Sequence, residues 1–129
     1  MVPFSLESLL SALDSVDGLA LQVHQDFKPI YCTRDYARIF GFDSPDEFLQ
    51  LNSILDIVPT EHHNEAKKRY QLALRQGYSE PIQIKSQKPS GDVIWIRVQD
   101  QLMHHGSQIY MLTFIEDITN EVYRQEQLA

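Results

Sequence analysis

Apolar residues recur along this chain with two different periods, and the change from one period to the other separates predicted helices from predicted strands. Near the start, five of them fall on one helical stripe: Leu6, Leu9, Leu10, Leu13 and Val16. This spacing predicts an amphipathic helix over residues 6–16, with Ser5 as its N-cap and Gly18 after its end. Because only one side is apolar, that side must pack on the domain or on a second copy of itself.

A hairpin of two short strands is predicted to follow this helix. Leu19, Leu21 and Val23 alternate with smaller or polar residues, which is typical of a half-buried strand. A turn around Asp26 then separates this strand from a second extended run over residues 29–32, so that the two strands can pair with each other.

Three helices occupy the middle of the chain. Thr33 can cap a short helix over 34–40. Residues 44–47 have the pattern of a capping box with proline at the first helical position, which predicts the start of a second helix. The third helix is the longest and is predicted over about 61–76, where Gly77 provides its C-terminal stop.

The last third of the chain is rich in strands. Residues 82–84, 93–103 and 109–115 predict three strands, and the turn-forming residues between them indicate an antiparallel meander. The last of these strands is apolar on both faces, which predicts a central position in the sheet. Residues 118–129 predict a helix with apolar residues at coiled-coil spacing.

This order of elements predicts an α+β fold. We expect a five-stranded antiparallel sheet with short helices packed on one face, flanked by an N-terminal amphipathic helix and a C-terminal linker helix. Residues 1–17 would form the first helix, residues 18–117 the domain itself and residues 118–129 the start of the linker helix. Because no stop residue ends the last helix, we expect the chain to continue beyond Ala129.

Composition and charge narrow the class of protein. The 129 residues are 43% hydrophobic and 22% charged, which is typical of one globular domain. The net charge of −7 repels phosphate backbones, so nucleic acid is not an expected partner. Membrane insertion is not expected either, because no apolar run approaches the roughly 20 residues that a membrane span needs. Cys32 is the single cysteine, which excludes an internal disulfide and fits a cytoplasmic protein.

Four short pieces of sequence are more specific in their order and spacing than any of them is alone. They are the strand and helix over 30–42, residues 57–59 before the long helix, residues 91–97 around Trp95, and Asp117-Ile118-Thr119. In these pieces the chain resembles the PAS domain, or sensory box, of bacterial signalling proteins. The resemblance covers about residues 5–120, and Thr33 stands where the family usually has asparagine.

The resemblance implies a sensory function without catalysis. In this family the Asp-Ile-Thr motif joins the last strand to an output helix, which implies a signal-coupling role for Trp95, Arg97, Asp117 and Thr119. The helix commonly leads to a covalently linked effector domain, here expected to be a diguanylate cyclase (GGDEF) domain. The alternative is a ligand-free domain for protein–protein interaction and dimerisation, for example of a histidine kinase. A homodimer is expected in the first case as well.

The family's ligand pocket lies between the sheet and the short helices. The residues that could line it here are Tyr36, Ile39, Phe40, Phe48 and Leu55 from the helices, with Tyr110 and Leu112 from the central strand. Each of them is equally well explained as part of the hydrophobic core. A ligand suited to such a lining would be small and mostly apolar or aromatic, held by a few polar groups.

The identity of any cofactor stays open, and two of the family's cofactors are disfavoured. The position of the haem-binding histidine falls on Ala66, and the neighbouring His62 and His63 would point about 100° apart on a helix. Covalent flavin photochemistry needs a reactive cysteine in the helical segment after Gly41, and this segment has none. Cys32 is instead expected to be a small core residue.

Neither a catalytic centre nor a metal site is predicted. Asp56 is the nearest candidate for acid–base chemistry, but a role as a helix or turn cap is favoured. His104 and His105 fall in a predicted hairpin turn, where we expect them to be exposed to solvent rather than to bind a metal ion.

Overall fold

A five-stranded antiparallel sheet forms the centre of the computed structural model, which describes residues 6–88 and 90–128. The strands are β1 (Leu21–Gln25), β2 (Lys28–Cys32), β3 (Ile82–Gln87), β4 (Val93–His105) and β5 (Gln108–Asp117). Their order across the sheet is β2-β1-β5-β4-β3, and each neighbouring pair is antiparallel. The predicted sheet, its closing meander and the central place of the last strand are therefore confirmed.

Helices account for most of the remaining chain. They are α1 (Leu6–Asp14), α2 (Arg34–Ile39), α3 (Pro45–Leu49), α4 (His63–Gln76) and α5 (Thr119–Leu128), with two short 3-10 helices at Ile54–Ile57 and Thr60–His62. Three predictions concern residues outside the described ranges, namely the N-cap Ser5, Pro89 as one of the turn-forming residues predicted before β4, and Ala129 as the last residue of the predicted linker helix.

The hydrophobic core lies between one face of the sheet, here called the inner face, and helices α2 and α3. Tyr36 and Phe48 from these helices are buried, and they pack against Ile94, Ile96 and Val98 of β4. Helix α1 covers part of the opposite, outer face. There the hydroxyl of Tyr31 on β2 donates a hydrogen bond of 2.8 Å to a backbone carbonyl of α1.

The helix caps follow the sequence only in part. Thr33 caps α2 as predicted, because its hydroxyl accepts from the backbone N–H of Tyr36 at 3.3 Å. The predicted capping box at Ser44 is wrong, since within the described residues the Ser44 side chain makes no capping bond. A capping box forms instead at Ser53 and Asp56, and Asp56 is thus a cap as expected.

The long helix begins slightly later than predicted and ends where predicted. Thr60–His62 forms a tight 3-10 turn, and the regular helix starts at His63. Its first turn is fixed because Nε2 of His63 lies 2.9 Å from the carbonyl oxygen of Leu55 and 2.8 Å from that of Val58. Gly77 ends the helix with a φ of 94°, a left-handed conformation that glycine adopts without steric strain.

One row of inner-face residues is polar, in contrast to the apolar rows beside it. Gln22 on β1 is paired with Thr113 on β5, and Thr113 is paired with Asp100 on β4. All three side chains are buried. This polar row crosses the middle of the sheet under α4, where it borders the cavity described next.

Candidate functional site

A cavity of about 110 Å³ lies between the inner face of the sheet, helix α4 and the two 3-10 helices. Aliphatic side chains make up much of its wall, among them Ile54, Ile57, Ile84, Ile96, Val98 and Ile115. A water molecule occupies about 30 Å³ in the liquid, so the volume could hold a few waters or one compact organic molecule. The cavity is therefore a candidate ligand site.

Gln22 gives the cavity wall an unsatisfied hydrogen-bond acceptor. Its side chain is buried at 2% exposure, and its amide oxygen has no hydrogen-bond partner in the part of the chain that the structure describes. A buried acceptor without a donor is unfavourable by about 1–3 kcal/mol. A bound molecule or water that donates a hydrogen bond would remove this penalty.

The other end of the polar row is a closed network around Asp100. Its Oδ1 accepts from the hydroxyl of Thr113 at 2.7 Å, and its Oδ2 accepts from the hydroxyl of Ser79 at 2.9 Å. Nη2 of Arg69 on α4 donates to the same Oδ2 at 3.2 Å and to Ser79 at 2.9 Å. Burial lowers the pKa of Arg69, and the charge of Asp100 counteracts that effect. This network fixes α4 on the sheet.

Three aromatic rings line one side of the cavity. His24 on β1 is stacked with Phe27 at a centroid distance of 5.4 Å, and Tyr70 of α4 lies 4.9 Å from Phe27. Burial lowers the pKa of His24 to about 4, although the charges of Asp100 and Asp26 act in the opposite direction. The imidazole is therefore neutral at pH 7, and it offers the cavity an aromatic face and a polar edge.

The turn between β1 and β2 holds Phe27 in this cluster at a conformational cost. Asp26 and Phe27 have φ values of 50° and 70°, which non-glycine residues rarely adopt. Such strain typically costs about 1–3 kcal/mol per residue. Two backbone bonds offset it here, from the N–H of Phe27 to Nδ1 of His24 at 3.1 Å and from the N–H of Asp26 to the hydroxyl of Tyr70 at 3.1 Å.

The residues predicted to line a pocket are only partly brought together. Tyr36 and Phe40 line the cavity. Phe48 is fully buried in the core against Tyr36, and Ile39 packs on the same core. Leu55 is half-buried, and its carbonyl oxygen contacts His63.

The prediction that Tyr110 and Leu112 line the pocket is wrong, because both residues lie on the outer face of the sheet. Side chains alternate along β5, and the buried positions that share the inner face are Met111 and Thr113. The sequence could not decide between the two faces, since β5 is apolar on both.

The predicted coupling residues meet at the junction between β5 and α5. The hydroxyl of Thr119 donates to Oδ1 of Asp117 at 2.6 Å and accepts from the backbone N–H of Trp95 at 3.0 Å. The backbone N–H of Ile118 donates to the carbonyl oxygen of Trp95 at 2.9 Å. The start of α5 is therefore hydrogen-bonded directly to the backbone of β4.

Arg97 takes part in this junction through other partners than expected. The resemblance implied a coupling role for Arg97 together with Asp117 and Thr119, but its guanidinium pairs with Glu116 at 2.6 Å and with Glu121 at 3.4 Å. The hydrogen bond that Arg97 donates to Glu116 is the main reason that the pKa of Arg97 is raised. Since Glu121 belongs to α5, these pairs connect β4, β5 and the outgoing helix at the surface.

The structure also shows the surroundings of the cysteine and histidine residues that the sequence analysis considered as reactive or metal-binding groups. Cys32 is buried in the core, where desolvation raises the pKa of its thiol to about 12, so the thiol stays protonated. His104 and His105 are exposed at the end of β4. Among the described residues no three acidic, histidine or cysteine side chains are grouped to hold a metal ion. Nor does any helix within residues 6–88 and 90–128 have the length and apolar character to cross a bilayer.

Comparison with known proteins identifies the fold. No protein-family model matches this sequence, and no curated protein matches it. A PAS domain from Colwellia psychrerythraea is 15% identical with a TM-score of 0.73, and the match covers 89% of this chain and 98% of that chain. A PAS domain from a two-component sensor histidine kinase is 12% identical with a TM-score of 0.68, covering 86% and 94%. An RNA-binding light-oxygen-voltage receptor is 18% identical with a TM-score of 0.73, covering 99% of this chain and 39% of that chain.

The sheet order, the helices on its inner face and these matches define the chain as having the PAS fold. The PAS-like architecture that the sequence predicted is therefore confirmed. The likeness extends to sensor domains of histidine kinase and light-oxygen-voltage type, and at this level of identity it is a likeness of fold.

Proposed function

We propose that this chain is a sensory PAS module that binds a small molecule in the cavity and transmits its presence through α5 to an effector domain. One observation carries the proposal, namely that β5 belongs both to the cavity wall and to the junction with α5. Thr113 and Ile115 on this strand line the cavity, and the same strand leads directly into α5. A ligand that displaces the inner face of β5 would therefore act on the strand that holds the outgoing helix.

The proposed effector is a diguanylate cyclase, in a cytoplasmic bacterial protein. The Asp117-Ile118-Thr119 sequence supports it, because this motif precedes such output domains in the family that the chain resembles. A histidine kinase is the alternative effector, and the match to a sensor of that kind favours it. The domain itself is proposed to be non-catalytic, since the buried carboxylate of Asp100 is fully engaged by its neighbours.

A second proposal is that the chain forms a homodimer through α1 or the outer face of the sheet. Exposed apolar side chains support it, because Leu9 and Val16 remain 38% and 51% exposed and Val93, on the outer face of β4, remains 41% exposed. If the dimer is the whole function, the domain is a ligand-free interaction module. Native mass spectrometry and a visible spectrum of the purified protein distinguish the two, since only the sensory module retains or takes up a molecule.

The proposal for signal coupling is tested at Thr119 in the protein that carries the effector. Thr119→Ala removes the hydroxyl that contacts Trp95 and Asp117, so we expect effector output to stop responding to the ligand. Thr119→Ser keeps the hydroxyl and should keep the response. An unchanged response in Thr119→Ala, with the fold intact by circular dichroism, would contradict the coupling role.

A further inference from the structure

We propose that the ligand is a small neutral molecule that donates a hydrogen bond to Gln22 and accepts one from His24. This inference rests on the proposed sensory function, and it names the chemical class that the cavity would recognise. It follows from the polar groups in the wall, from the balance of charge around them and from the volume that they enclose.

The donor requirement comes from Gln22. Its amide oxygen is buried, it borders the cavity and it lacks a donor among the described residues. The other two members of the polar row are already satisfied, since Thr113 donates to Asp100. A ligand that presents an N–H or O–H group to this wall would therefore satisfy the one buried side-chain acceptor that residues 6–88 and 90–128 leave open.

The requirement for an acceptor on the ligand comes from His24, which lies two residues after Gln22 on β1 and also lines the cavity. Its Nδ1 already accepts from the backbone N–H of Phe27, so the hydrogen of the neutral ring is on Nε2. Nε2–H is therefore the hydrogen-bond donor that this cavity-lining imidazole offers. A ligand with a donor and an acceptor on neighbouring atoms would match Gln22 and His24 together.

The charges in the wall favour a neutral ligand. Arg69 and Asp100 neutralise each other, and both carboxylate oxygens of Asp100 already accept hydrogen bonds. Glu65 and His62, 3.6 Å apart, are at the more exposed rim of the cavity, and so is the exposed Lys85. In the buried part of the described wall, a charge on the ligand would find its counter-charge already taken by the pair of Arg69 and Asp100, and burying an unpaired charge is strongly unfavourable.

The volume limits the ligand to a few non-hydrogen atoms. An engineered cavity of about 150 Å³ accepts benzene, and the cavity here is smaller, at about 110 Å³. The rings of Phe27 and Tyr70 provide aromatic surface on one side. Small amides, small alcohols and five-membered N–H heterocycles fit these limits, and pyrazole combines a ring donor with an adjacent ring acceptor.

The test is a titration of the isotope-labelled chain with three probes of similar size, followed by nitrogen–proton correlation NMR. Pyrazole carries a donor and an acceptor, thiophene lacks the donor, and propionate is charged. We expect pyrazole to shift the amide resonances of cavity residues such as Val98 and Thr113 and to bind about tenfold more tightly than thiophene. Propionate should bind more weakly than pyrazole.

Gln22→Leu is the decisive variant, because it removes the acceptor and keeps a side chain of similar volume. We expect its affinity for pyrazole to fall about tenfold, with its affinity for thiophene unchanged or raised. Gln99→Leu is the matched control, since Gln99 is an exposed glutamine on the outer face. Its affinities should equal those of the parent chain.

The outcomes separate this inference from the function on which it rests. Equal pyrazole affinity in Gln22→Leu and the parent chain, or tighter binding of thiophene or propionate by the parent chain, overturns the ligand class and leaves the cavity as a ligand site. If none of the three probes shifts the amide resonances of cavity residues, both the ligand class and the proposed ligand site are overturned. If Gln22→Leu does not fold, the comparison of pyrazole with thiophene on the parent chain decides the class.

Discussion

Two polar clusters hold strand β4 to a neighbouring helix, and they differ in how far they are from water. The first is the network around Asp100, whose side chain and that of its partner Arg69 are 12% and 19% exposed. The second is the junction at Thr119, beside which Arg97 and Glu116 are 33% and 59% exposed. Both combine an ion pair with a hydroxyl group.

The difference in exposure gives the same chemistry two different consequences. Removing one partner of a buried ion pair leaves a charge that neither water nor protein can compensate. Removing one partner of a surface pair exposes the other to water, which replaces most of the interaction. The network should therefore fix the position of α4, whereas the ion pairs of the junction can break and re-form at little cost.

The largest effect is expected for the buried network. Arg69→Met leaves Asp100 buried without its counter-charge, so the free energy of unfolding should fall by about 3 kcal/mol. Urea denaturation followed by circular dichroism measures this change. Lys68→Met is the control, because Lys68 is exposed on the same helix. A loss no larger than that of the control would contradict the contrast between the clusters.

The next largest effect is a pH dependence of the unfolding free energy, which arises from His24 in the cavity wall. Its folded-state pKa of about 4 lies below its ordinary value of 6.5, so the unfolded chain binds a proton first. The stabilisation that comes from burying His24 as a neutral ring is complete above pH 6.5 and is lost as the pH falls towards 4. Between pH 7 and pH 5 this group should lower the unfolding free energy by about 2 kcal/mol.

An NMR titration of the histidine ring protons checks the assignment. The His24 ring should titrate below pH 5, while the exposed His104 and His105 serve as internal references. A His24 midpoint near 6.5 would show that the imidazole is solvated, and the pH dependence would then need another source.

A smaller effect is expected at the hydroxyl of the junction. Thr119→Val keeps the shape of the side chain but leaves the N–H of Trp95 without its acceptor, which should cost about 1 kcal/mol. The fluorescence of Trp95, the single tryptophan, reports both the unfolding transition and the local change. Thr119→Ser should restore most of the stability, and a Ser variant as weak as the Val variant would argue against a role of the hydroxyl.

The smallest effect belongs to the surface ion pairs. Arg97→Gln should change the unfolding free energy less than Thr119→Val does, because Glu116 and Glu121 remain hydrated. Raising the salt concentration to 1 M should remove the difference between Arg97→Gln and the parent chain. A salt-resistant loss larger than that of Thr119→Val would reverse the proposed order of the two junction contacts.

The fold was predictable because its elements have local causes. Gly77 ends α4 and Thr33 caps α2 through short-range chemistry that a sequence displays directly. Ser44 shows the limit of such reasoning, since Glu47 accepts a hydrogen bond from the backbone of Asp43 instead of completing the box. Which of two serines becomes a cap depends on the path of the chain around them.

The site was less predictable because strand register creates it. The alternation along β1 predicts a solvent-facing position for Gln22, but β1 is covered on both faces and Gln22 is buried on the inner face. Asp100 continues the inner-face series of Ile94, Ile96 and Val98, which was the one sequence feature that could have placed a carboxylate in the core. Its pairing with Thr113 and Arg69 depends on contacts between distant parts of the chain.

The central place of β5 sets how far the cavity is from the outgoing helix. Thr113 in the cavity wall and Asp117 at the start of the junction are four residues apart on one strand, a span of about 14 Å. Over this stretch β5 is bonded to β4, residue by residue. Because extended backbone that is hydrogen-bonded in this way resists compression, we expect a displacement of Thr113 along the strand axis to move Asp117 in the same direction.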